Sequence, residues 1–63
     1  MKAVVIKTCP IRTEIIENVN YYLVTFETEI YKNGSIIMFD IDQLYFTSKE
    51  DADKIVVGYE FEA

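Results

Sequence analysis

Apolar and polar residues alternate along most of the chain with the period of two that marks half-buried strands. Residues 2–8, KAVVIKT, are a β-branched run closed by Cys9 and Pro10. Proline cannot donate to a ladder and pushes the preceding residue toward extended backbone. A first strand is therefore expected over 2–8, with a turn or bulge at 9 and 10. Residues 11–17, IRTEIIE, alternate loosely and read first as a strand, with a short helix over 11–18 as the alternative. Asn18, Val19 and Asn20 supply a turn. The clearest strand is YYLVTFETEIY, residues 21–31, and SIIMFDIDQLYFT, residues 35–47, returns beside it. Asn33 and Gly34 lie between, and Asn-Gly is the strongest short hairpin signal because a type I′ turn needs positive φ at both central residues.

With Asn33 and Gly34 as the loop, Lys32 faces Ser35 and the rest follows by counting. One face pairs Ile30 with Ile37, Thr28 with Phe39, Phe26 with Ile41, Val24 with Gln43 and Tyr22 with Tyr45. That is a core face, with Gln43 as its one exception. The other face pairs Tyr31 with Ile36, Glu29 with Met38, Glu27 with Asp40, Thr25 with Asp42, Leu23 with Leu44 and Tyr21 with Phe46. Acids thus form a central patch flanked by apolar residues. Like charges directly opposed, with Cβ atoms ~5 Å apart, are destabilising. Solvation lowers that cost, and a two-residue loop at Val19 and Asn20 would bring Arg12 opposite Glu27.

The period changes in SKEDADKIVVGYEFEA. Ser48 is an N-cap candidate and Asp51 stands where a capping box places its acid. Ala52, Ile55, Val56 and Tyr59 fit a helical stripe, and Gly58 suits a left-handed cap. A helix over 49–57 is expected, then a short strand in YEFEA. The fold class that results is α+β: one domain, 1–63, with a small curved antiparallel sheet of three to four strands around the Asn-Gly hairpin and one C-terminal helix packed on one face. The strand over 35–47 has no lysine or proline to protect its edge. The tail, the first strand or another subunit is expected to cover it.

Composition adds the question of assembly. A chain of 63 residues buries only ~60% of the surface it exposes when unfolded. Small domains compensate with disulfides, metals or oligomerisation. One cysteine, Cys9, and no histidine remove the intrachain disulfide and zinc-finger spacing. With 51% hydrophobic residues, a homo-oligomer is the expectation. The net charge of −5 argues against direct nucleic-acid binding and against anionic membranes. No stretch approaches a signal peptide or a membrane span. A lone cysteine fits a reducing compartment, so a cytoplasmic location is expected. Lys2, Lys7 and Arg12 precede every acid, and all eleven acids lie beyond residue 12.

No catalytic or cofactor motif is present. The reading from chemistry is a non-enzymatic protein-interaction module. Glu27, Glu29, Asp40 and Asp42 would meet a basic partner, with Tyr21, Phe46, Tyr31 and Met38 among the apolar anchors. A basic, nucleic-acid-binding protein held this way would be inhibited by occlusion of its phosphate groove. Small acidic inhibitors encoded by phages and other mobile elements share that chemistry, an analogy of class alone. A second reading takes Glu27 and Asp40 as ligands for Mg²⁺ or Mn²⁺ in a phosphodiesterase or nickase. A third is an oligomer that sequesters a small ligand such as a nucleotide. Cys9 has no histidine to act as its base. The tyrosines suit core and interface better than base stacking on so acidic a chain. Glu60 and Glu62 suit a solvated tail.

Overall fold

The computed structural model describes residues 1–63. Its elements in order are β1 (Lys2–Thr8), β2 (Arg12–Ile16), β3 (Val19–Lys32), β4 (Ser35–Phe46), α1 (Lys49–Ala52) and β5 (Glu60–Glu62). Asn33 and Gly34 have φ of +53° and +80°, as a type I′ turn requires, and Lys32 pairs with Ser35. A second turn of the same kind sits at Glu17 and Asn18, with φ of +49° and +65°. It makes Ile16 pair with Val19, so Arg12 meets Leu23 and not Glu27.

The fourteen-residue strand β3 is the spine. Along one edge it pairs with β2 and then β1, which run nearly end to end around Pro10; along the other it pairs with β4. The N–H of Cys9 still donates to the Thr25 carbonyl at 2.9 Å, so the break at Pro10 is short. After β4 the chain crosses one face through α1, and β5 pairs with the outer edge of β1. The core lies under this crossing: Val5, Val24 and Phe26 of the sheet pack with Ala52 and Ile55, and Ile11, Tyr22, Phe46 and Phe61 close around them.

The protein is mostly β, with 65% of residues in strands of one antiparallel sheet and 6% in helix. The α+β expectation, with a helix over 49–57, is therefore corrected. Ser48 does cap α1, its hydroxyl accepting from the Asp51 N–H at 3.4 Å. Past Ala52 the chain tightens into turns, Lys54 N–H donating to Asp51 O and Ile55 N–H to Ala52 O at 3.2 Å each, and a further turn closes from Tyr59 N–H to Val56 O at 2.9 Å. Residues 58 and 59 then reach β1, where Gly58 N–H donates to Val5 O at 2.8 Å and Val5 N–H to Tyr59 O at 2.9 Å. The β-branched run Ile55, Val56, Val57 favours helix only weakly, so the bonds to β1 prevail over a longer helix. Gly58, at φ +94°, turns the crossing segment into β5 and does not cap the helix.

A second correction concerns register. Between Tyr31–Ile36 and Ile30–Met38 the ladder shifts by one, leaving Ile37 as an extra residue. Beyond this bulge every β4 side chain lies on the face opposite to the one predicted by counting from the turn. Two demands conflict. The turn sets Lys32 against Ser35, while the core beneath the crossing segment takes Phe46 on the side of Tyr22 and Val24. They differ by one residue, and the bulge absorbs the difference. A comparable irregularity in β1, between Val5 and Lys7, keeps Val5 in the core and turns Lys7 away from Phe26 to pair with Glu27. No helix is long and apolar enough to cross a membrane.

Candidate functional site

Ladder partners share a face, so the register sorts the expected site residues. Tyr21, Glu27, Glu29 and Tyr31 lie on the open face, away from α1. The last three pair there with Ile41, Phe39 and Ile36 of β4, and Tyr21 lies against the ring of Tyr45, the partner of Leu23. Met38, Asp40, Asp42 and Phe46 lie on the helix face, opposite Ile30, Thr28, Phe26 and Tyr22. The eight residues do not form one patch, and Glu27 does not face Asp40. The repulsion expected between them is relieved by the bulge. Glu27 has a cation as well, Lys7 Nζ at 3.8 Å.

The open face mixes charge signs. Lys2, Lys7 and Arg12 all fall on it, as partners of Tyr31, Glu27 and Leu23. So do Glu14, Glu60 and Glu62, through Tyr21, Val4 and Lys2. Lys2 Nζ stands 5.6 Å from the centre of the Tyr31 ring and 3.2 Å from Glu60. Tyr21 and Tyr45 meet edge to face at 5.9 Å. Phe39 and Ile41 are 66% and 67% exposed. With Ile6, Glu27 and Asp40 they line a shallow depression of about 410 Å³. Asp40 reaches it around the edge of β4.

The helix side is more uniformly acidic. Asp40 and Asp42 join Glu50, Asp51 and Asp53 of the crossing segment, against Lys49 and Lys54. The lysines are already held, Lys49 by Asp53 at 3.0 Å and Lys54 by Asp51 at 3.3 Å. Asp40 and Asp42 have no cation. Each instead accepts the backbone N–H of the next residue, Ile41 and Gln43, at 2.9 Å. Two residues apart, those amides point the same way, toward the unpaired outer edge of β4. Neither the tail nor the first strand covers this edge, since β5 pairs with β1 and β1 with β3.

A groove of about 330 Å³ separates β4 from the crossing segment. Phe46, Tyr59 and Phe61 wall it, and Asp42, Asp51 and Lys54 form its polar side. The count from the turn hides this groove by assigning Phe46 and Asp42 to the other face. One signal points to it: Gln43 alone spoils the counted core face, and a shift by one replaces it with Leu44.

No three His, Cys, Asp or Glu side chains gather as a metal-binding group. Cys9 is exposed and unpaired. No protein-family model matches the chain, and no curated protein or solved structure matches it.

Proposed function

We propose that this protein is a small non-enzymatic interaction module whose helix side binds a basic protein. The observation that carries the reading is that Asp42 lines an aromatic groove, with Asp40 two residues before it on the same strand, and neither is in an ion pair, the groove's one cation, Lys54, being paired with Asp51. Apolar and aromatic anchors next to uncompensated charge provide both area and direction for a complementary partner. Met38 and Phe46 belong to this surface; Glu27, Glu29, Tyr21 and Tyr31 belong to the other. A nucleic-acid-binding protein is the partner class with basic surface to spare, and occupation of its phosphate groove would make this chain an inhibitor or regulator. The exposed Cys9 thiol suits action in the reducing cytoplasm.

The test is capture from cell lysate on the immobilised chain, followed by mass spectrometry. Basic proteins are expected, released by about 0.5 M salt as screening requires. Asp40→Lys with Asp42→Lys should lose them, while Glu27→Lys with Glu29→Lys should keep them. Capture unaffected by the first pair would sink the reading.

A second reading belongs to the open face. Exposed Phe39 and Ile41 among charges of both signs suit a second copy of this chain, because a mixed surface can complement itself across a twofold axis. Self-association there would leave the helix side free for the partner.

A further inference from the structure

We infer that the groove between β4 and the crossing segment is an anchor pocket for an arginine side chain of the partner. The inference rests on the basic-partner reading and names the residue that would be recognised. Three observations select arginine. First, the walls are aromatic. Phe61 meets Phe26 edge to face at 6.1 Å and leans toward Tyr59 at 6.2 Å with their planes 37° apart. Such walls offer ring surface to a flat cation, and guanidinium stacks on aromatic faces better than ammonium does. Second, the volume, about 330 Å³, lies at the lower end of the ~300–1,000 Å³ range of small-molecule sites. It suits one long side chain better than a bulky ligand. Third, the charge balance leaves one vacancy. Lys54 and Asp51 also line the groove and pair with each other at 3.3 Å, which leaves Asp42, whose Oδ1 answers only the Gln43 N–H at 2.9 Å, as the net charge of the lining. A carboxylate that has given one oxygen to its own backbone keeps the other for an incoming N–H donor. Arginine supplies in one side chain an apolar stem for the groove, a planar cation for the rings and a donor for Asp42.

The experiment is an amide NMR titration of the intact chain with three short capped peptides, glycine-flanked arginine, lysine and citrulline. Citrulline keeps the shape of arginine and removes its charge. Arginine peptide should shift the amides of Gln43, Leu44, Phe46, Tyr59 and Phe61. Lysine peptide should bind several-fold more weakly, and citrulline at least about tenfold more weakly, the usual scale for losing a charge-assisted contact. Asp42→Asn should remove the arginine preference while the spectrum stays dispersed. Tyr59→Ala, at a position 39% exposed, should weaken binding without unfolding the chain. Equal binding of arginine and citrulline, or shifts confined to Ile6, Phe39 and Ile41 on the open face, would overturn the proposal. So would concentration-dependent shifts of the groove amides without peptide, which would give the groove to a second copy. No partner protein is used, so the two readings fail separately. Loss of capture in the Asp40 and Asp42 variant with no arginine binding ends the anchor alone. Arginine binding with no capture ends the partner reading alone.

Discussion

Glu17 is the residue with the least comfortable backbone. Its φ of +49° is the left-handed region, where a side chain without a short local hydrogen-bonding group costs about 1–2 kcal/mol. Asn18 and Asn33 share that region, but asparagine tolerates it. The chain accepts the strain because the turn brings Ile16 against Val19 and aligns β2 with the lower half of β3. Glu17→Asn should therefore stabilise the fold by about 0.5–1 kcal/mol, a rise of several degrees in Tm for a domain this small. Glu50→Gln, the same loss of charge on an exposed helix position, should leave Tm nearly unchanged. Equal Tm for Glu17→Asn and wild type would show that the turn is not strained.

At the scale of elements the outstanding feature is the free edge of β4. A twelve-residue strand open along one side is a template for pairing with another chain. The strand has no lysine or proline, yet it is guarded by other means. The Ile37 bulge interrupts the edge near the hairpin tip, and Asp40 and Asp42 occupy the outward amides of Ile41 and Gln43. Asp40→Val with Asp42→Val removes both carboxylate guards and raises β propensity. The double variant should form large, thioflavin-positive assemblies at concentrations where wild type stays dispersed. Glu29→Gln with Glu50→Gln, which also removes two charges, should not. A double valine variant as dispersed as wild type would show that the aspartates guard nothing.

The whole molecule is long and thin, about 43 × 18 × 17 Å, with a radius of gyration of 12.9 Å. A compact chain of this length would have a radius near 11 Å. Its accessible surface is 4616 Å², against about 4,200 Å² for a typical monomer of the same mass. Only nine of 63 residues are buried. The crossing segment covers one face of the sheet and leaves the other open, with Phe39 and Ile41 exposed on it, and exposed apolar groups of this kind mark surfaces that associate. Light scattering across concentration is expected to give a multiple of 7.4 kDa. Phe39→Lys with Ile41→Lys should return it to the monomer, as both side chains are largely exposed and their loss costs the core nothing. A mass fixed at 7.4 kDa over the whole range would end the self-association reading and leave the open face free.

Local chemistry makes much of this fold legible in the amino-acid sequence. The strand periodicity, the break at Pro10, the Asn-Gly hairpin and the Ser48 cap each rest on one residue type with one backbone preference, and short-range physics is enough to read them. The misfit of Gln43 on the counted core face is a sequence signal too, and it marks the strand whose register shifts. The tertiary structure alone decided three things. It ended the helix at Ala52, because Gly58 and Tyr59 exchange backbone bonds with Val5 at the far edge of β1. It placed Lys7 beside Glu27 where counting suggests Arg12, because the turn falls at Glu17 and Asn18 and β1 bulges to keep Val5 inside. It set the register of β4, because Phe46 is drawn under a crossing segment that follows it in the chain. A one-residue bulge costs little locally and turns over an entire strand, so the face that carries the candidate site was determined by packing at a distance.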